Sequence, residues 1–144
     1  MKRGFTLLEL IVVIIILGIL ATLGYTQYAK IVEKGRQAEP RAIIGLIVKN
    51  ALAYRLEKGS TTGMQNADVG IAPSQIPNSC TSTHYYWYNI DYNVDPTLHI
   101  VACRCTGEGK PPQGTSGGGQ GIWLDCNLQT GSQVWKSNPT TCGS

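Results

Sequence analysis

The first half of this chain contains no cysteine, and none of its five cysteines, Cys80, Cys103, Cys105, Cys126 and Cys142, belongs to a C-x-x-C pair. Without that spacing the set points away from zinc and toward disulfides, and so toward an oxidising compartment reached by export. The odd count leaves one thiol without a partner inside the chain. Charge of one sign is also scarce: the net charge is +3, and two of the cations, Lys2 and Arg3, precede an apolar run, so the remainder is close to neutral. That balance gives no footprint for a polyanion, and nucleic acid is not expected as a main partner. His84 and His99 have no cysteine or carboxylate at ligand spacing. No nucleophile elbow is present, and GEGK at 107–110 lacks the strand, helix and hydroxyl residue of a phosphate-binding loop. The chain is therefore not expected to be an enzyme, and neither a cofactor nor a metal site is expected. No internal repeat occurs.

What is present is concentrated at the start. Hydrophobic residues make up 42% of the chain, much of it in the first quarter. From Phe5 to Tyr25 the sequence is almost wholly apolar, and at 1.5 Å per residue a helix over it spans about 31 Å, the thickness of a bilayer's hydrocarbon. Lys2 and Arg3 put its N-terminus on the cytoplasmic side, which leaves the cysteines outside. Inside this run stands one acid, Glu9, which costs about 2.5–3.5 kcal/mol at mid-membrane. A conventional signal peptide has a run of about 7–15 residues and a small-residue cleavage site; this run is longer, and Ala21-Thr22-Leu23-Gly24 fits such a site poorly. A plain anchor has no use for Glu9.

Farther on, Ile43, Ile44, Ile47, Val48, Ala51 and Tyr54 fall on one helical face, with Lys49, Asn50 and Glu57 directed away. Gly59 is the stop signal, and Pro40 predicts a kink or restart near Glu39–Pro40. Residues 60–83 read as a long irregular connection. Four strands are expected after it: YYWYNI (85–90) and TLHIVACRC (97–105) about the turn DYNVDP, then IWLDC (122–126) and SQVWK (132–136) about Thr130-Gly131. The Gly/Pro-rich stretch after Cys105 reads as an exposed loop. The expected fold class is α+β, a long N-terminal helix whose second half packs on a four-stranded antiparallel sheet. Alternate aromatics of HYYWYNIDY (84–92) should face that helix.

The string Gly4-Phe5-Thr6-Leu7-Leu8-Glu9, preceded by basic residues and followed by LIVVIIILGILAT, resembles the class III signal sequence of type IV pilins and the type II secretion pseudopilins. The match is close over positions 1 to about 25, extends to the helix of residues 36–59, and covers the C-terminal strands in layout only. The resemblance implies a leader (1–4) cut by a prepilin peptidase after Gly4, N-methylation of Phe5, and a requirement for Glu9 in assembly. It further implies a membrane and filament-core helix (5–27) and a head (28–144) with an αβ-loop (59–83) and a meander (84–144). The partners it implies are other copies through the N-terminal helices, the inner membrane before assembly, the peptidase and the ATP-driven pilus assembly machinery. The expected product is an extracellular filament on the cell surface, serving adhesion, motility or DNA uptake. The alternatives are a secretion pseudopilin or minor pilin, and a membrane-anchored monomeric binding module. One departure is Thr26, where many relatives carry proline; Gly18 and Gly24 remain as weak points, each about 1 kcal/mol worse than alanine.

The same resemblance suggests Cys126 with Cys142, closing a C-terminal loop as many type IV pilins do. The hairpin layout sets Cys80 opposite either Cys103 or Cys105. Each bond is worth about 3 kcal/mol. Asp91, Asn93 and Asp95 spell the opening of a calcium loop, but Pro96 stands where it needs glycine and Ala102 where it needs glutamate, so an Asp/Asn turn is expected there.

Overall fold

A computed structural model describes residues 6–105, 121–137 and 142. The chain divides into two compact units, Met1–Gly35 and Arg36–Ser144. The first holds helix α1 (Leu7–Arg36) except its last residue. Its large apolar side chains from Leu7 to Ile31 are all exposed, none less than 43%. None of its most apolar stretch is buried, and the helix is long and apolar enough to cross a membrane. α1 runs through Gly18, Gly24 and Thr26 without interruption. Thr22 donates its hydroxyl to the Gly18 carbonyl at 2.6 Å and Thr26 to that of Leu23 at 2.9 Å. Both hydroxyls are thereby satisfied inside the helix, which is what lipid would require of them.

The second unit opens on α2 (Ala38–Lys58), separated from α1 by Gln37. The restart expected at Glu39–Pro40 lies there, just ahead of the proline. Pro40 occupies the first turn of α2, where its missing N–H leaves no bond unmade, and it is buried. Gly59 ends the helix in the left-handed region at φ 81°, its N–H bonded to the Arg55 carbonyl at 2.8 Å.

Four antiparallel strands, β1 (Tyr86–Val94), β2 (Thr97–Arg104), β3 (Gly121–Asn127) and β4 (Gln133–Ser137), lie in the order β1-β2-β3-β4. β1 is longer than its sequence signal, so only Asp95 and Pro96 connect it to β2, and an irregularity between Ile90 and Tyr92 admits the extra residue. Strand alternation then decides the core. Tyr86, Tyr88, Leu98, Ile100, Ala102, Ile122, Leu124 and Cys126 pack with Ile44, Ile47 and Ala51 of α2 in one cluster, joined by the half-buried Ile43, Val48 and Tyr54. The aromatics of β1 alternate as expected.

The connection after α2 is better ordered than its composition suggests. It contains a 3₁₀ turn (Asn66–Val69), and Met64, Val69, Ile71 and Ile76 join the core. It also closes the free edge of β1: the Tyr88 N–H donates to the Pro77 carbonyl at 2.8 Å, and the Ile90 N–H to Asn66 Oδ1 at 3.0 Å. Asn50 belongs to this region and does not point away, because its amide donates to the Val69 carbonyl at 2.9 Å.

Cys80 pairs with one of its two expected partners, whereas the bond expected between Cys126 and Cys142 requires a correction. Cys103 bonds Cys142, Cys80 bonds Cys105, and Cys126 is a free, buried thiol. Cys126 shares a strand face with Ile122 and Leu124 against α2, whereas Cys103 is on the opposite face of β2 from Leu98, Ile100 and Ala102. Cys142 meets Cys103 on that other face, with Cα atoms 5.5 Å apart. The bond expected between Cys126 and Cys142 would have to pass through the sheet.

Candidate functional site

The head of the apolar helix carries a reciprocal pair. Thr6 stands one residue ahead of α1, and Glu9 lies in its first turn. The Glu9 N–H donates to Thr6 Oγ1 at 3.3 Å, while the Thr6 N–H reaches Glu9 Oε2 at 3.4 Å and the Thr6 hydroxyl reaches the same oxygen at 3.1 Å. This is a capping box, in which each residue satisfies a backbone N–H that the helix leaves open. The carboxylate also sits at the positive end of the helix dipole. Thr6-Leu7-Leu8-Glu9 spells this S/T-x-x-E pattern directly ahead of an apolar run, so a local role for Glu9 is legible in the sequence beside the expected requirement in assembly.

Both hydrogen bonds to the Glu9 carboxylate among the described residues fall on Oε2, and Oε1 accepts none. Gly4 and Phe5, the expected cleavage and methylation residues, lie outside the described residues, as do Lys2, Arg3 and the glycine-rich stretch of 106–120. The helix that bears Glu9 offers apolar surface on all sides, and such a helix is buried in its working state, by lipid or by other helices.

The remaining candidates are spent on the fold. Asp95, last of the D-x-N-x-D string, accepts from Arg55 Nε at 2.8 Å and from the Thr61 N–H and hydroxyl at 3.1 and 3.3 Å. The Arg55 bond foremost holds its carboxyl below the usual range, against an opposing push from burial. Asn93 donates to the carbonyls of Thr61 and Met64. The string is therefore not the turn expected over it: Asp91 and Asn93 lie in β1 and only Asp95 is in the turn, and the contacts of Asn93 and Asp95 fasten the end of α2.

His99 has a carboxylate beside it after all, supplied across strands. The β2–β3 register sets it opposite Asp125, its Nδ1 bonded to Oδ1, while Lys136 of β4 lies 3.2 Å from the other oxygen. Burial pushes the Asp125 carboxyl up, but these two partners outweigh it and the net shift is downward. Cys80, Cys103, Cys105 and Cys142 staple the head, and burial pushes the Cys126 thiol up, away from the reactive thiolate.

A family model described as the prokaryotic N-terminal methylation motif matches residues 1–25. Two fimbrial proteins of Pseudomonas aeruginosa are each 24% identical to the chain over 152 aligned positions, which span 98% of it and 96% of each relative. The type IV major pilin protein PilA of Myxococcus xanthus (strain DK1622) is 30% identical over 74 positions, 51% of this chain and 33% of that protein. No solved structure matches. The methylation motif, the capped apolar helix, the antiparallel sheet packed on a second helix and the end-to-end similarity to fimbrial proteins agree: the chain is similar to fimbrial proteins over its whole length and to a type IV major pilin over half of it, and it begins with the methylation motif.

Proposed function

We infer that the chain is a structural subunit that polymerises through its N-terminal helices into a type IV pilus. The observation that carries this reading is the acid at the head of a 30-residue helix that is apolar from Leu10 to Tyr25 save for Thr22. A leader of residues 1–4 is removed after Gly4 by a prepilin peptidase, and Phe5 becomes the methylated N-terminus. The new ammonium of one copy meets the Glu9 carboxylate of its neighbour in the helical bundle, at the oxygen the capping box leaves open. Paired charges in an apolar bundle largely offset each other, whereas removing one partner strands the other at about 3–5 kcal/mol. The pair sets the axial offset between copies. Because that contact is head-to-tail and does not close, it builds a filament.

Before assembly the precursor is held in the inner membrane by α1, and some twenty apolar residues leave the bilayer only with work from an ATP-driven machine. The head, outside the membrane, is stapled by its two disulfides. A pilus of the surface kind is favoured over a secretion pseudopilin by the full-length similarity to fimbrial proteins. The test is to express Glu9→Ala in a cell that assembles the wild-type protein and to weigh the mature N-terminus. Loss of sheared filaments, together with a wild-type product beginning at methylated Phe5, is expected; normal filaments from Glu9→Ala contradict the role given to the acid.

A further inference from the structure

The two disulfides interleave. Cys103, bonded to Cys142, lies in the chain between Cys80 and its partner Cys105, so neither bond joins cysteines that follow one another in sequence. Chain statistics favour a different set. In an unfolded chain the chance of closing a loop falls as about the 3/2 power of its length. Cys142 therefore meets Cys126, 16 residues away, about four times as often as Cys103, 39 away. Cys80, 23 residues from Cys103 and 25 from Cys105, hardly distinguishes the two.

The folded sheet keeps another set, and it keeps the leftover thiol apart. The Cys105 N–H donates to the Tyr85 carbonyl at 2.9 Å, so Cys105 prolongs β2 and its side chain shares a face with Cys103, about 6.6 Å along the strand. Both disulfides thus lie side by side on the face turned away from α2, where Cys103 and Cys105 are each 1% exposed. Cys126 is on the other face, 2% exposed beside Ile122 and Leu124. The sheet stands between that thiol and both bonds, and a thiol from solution reaches none of the three in the finished head.

We propose that the head sorts its own disulfides by internal thiol–disulfide exchange, with Cys105 and Cys103 attacking in turn and Cys126 released last, into the core. Oxidation of the exported chain removes two electrons and two protons for each bond, and a protein disulfide of the oxidising compartment takes them up. Two bonds use four of the five thiols, so one always remains. Where Cys80 has first bonded Cys103, the Cys105 thiolate attacks Cys80 Sγ; that bond forms, the old one breaks, and Cys103 leaves as a thiolate. Cys103 then attacks Cys142 Sγ in its bond with Cys126. Cys126 leaves, takes a proton from water and is buried as β3 packs on α2. Each step makes one disulfide and breaks one, so no further oxidant or reductant enters. Burial, which also pushes the Cys126 thiol up, prevents the reverse attack. The proposal goes beyond the filament reading and concerns the head whether or not it assembles.

The test is to reduce and unfold the full chain, refold it in detergent with a stoichiometric, thiol-free selenoxide oxidant, and map its bonds over time after alkylation with N-ethylmaleimide. The first two-bond species should carry Cys142 on Cys126 about four times as often as on Cys103. They should convert to the native set with one free thiol throughout. N-ethylmaleimide added as soon as the thiol count reaches one should freeze the early set and lower the final yield of Cys103 bonded to Cys142 about fivefold. Early species that already hold Cys103 with Cys142 and offer only Cys126 to the label overturn the exchange. So does a conversion that continues after alkylation, or one that occurs only when glutathione is added. None of these results touches the subunit reading, which the filaments themselves decide.

Discussion

The Arg55 guanidinium donates to Asp95 Oδ1 at 2.8 Å, joining the last turn of α2 to the two-residue turn between β1 and β2. Thr61, buried beyond the helix stop, adds two more donors to the same carboxylate. One acid thus fixes the helix end, the start of the αβ-loop and the first hairpin against one another.

This arrangement predicts an acid-sensitive head. Because the folded carboxyl of Asp95 titrates below its unfolded value of about 3.9, the unfolded chain takes up the proton first. The stabilisation is complete above that value and is lost as pH falls through the lower folded one. Urea unfolding of the full chain in detergent, followed by tryptophan fluorescence, should show Asp95→Asn less stable than wild type at pH 7. The gap should narrow steadily below about pH 4.

Tyr88 predicts a change in the other direction. It is fully buried in the core, its hydroxyl has no hydrogen-bond partner among the described residues, and burial foremost, with Glu39 nearby, drives its ionisation far up. Tyr88→Phe removes an unpaired buried group and should leave stability unchanged or raise it by about 1 kcal/mol. A fall of that size in the same urea assay would mean that the hydroxyl has a partner.

Leu124 lies at the centre of the same core between β2 and β4 and faces α2. Leu124→Ala should cost about 2–5 kcal/mol through lost burial and the cavity left behind, with a matching drop in precursor accumulation. Val134→Ala, at an exposed position of β4, should change stability by less than about 0.5 kcal/mol.

The disulfides give a chemical test. Alkylation of the unfolded, unreduced protein should label Cys126, and peptide mapping should recover Cys80 with Cys105 and Cys103 with Cys142. Cys126→Ser should leave both bonds intact. Cys142→Ser should expose Cys103 as a second free thiol and cost about 3 kcal/mol.

Much of this fold was legible because its elements announce themselves by period. The apolar run gave the right element, and the stripe Ile44-Ile47-Ala51 and the alternation of Tyr86 and Tyr88 gave theirs with the right face inward. What escaped depends on pairing across the sheet. The partnership of His99 with Asp125 follows from strand register, which two sequence positions 26 apart do not state. The pairing of Cys126 with Cys142 rests on resemblance alone, whereas Ile122, Leu124 and Cys126 alternate with Trp123 and Asp125, a pattern that itself puts Cys126 on the core face. The αβ-loop looked empty because its core residues, Met64, Val69, Ile71 and Ile76, are scattered among polar neighbours. At the site itself, Glu9 stands out by its cost in lipid, whereas the Thr6 that holds it carries no such signal beyond its spacing of three from the acid.

The central claim concerns where the Glu9 carboxylate goes when copies assemble. A side-chain-resolution map of the purified filament measures it directly. The account predicts the N-terminal nitrogen of a neighbouring copy within about 4 Å of that carboxylate, inside the helical bundle. A carboxylate facing water, or one bonded only to Thr6 of its own chain with no foreign amine nearby, would contradict it.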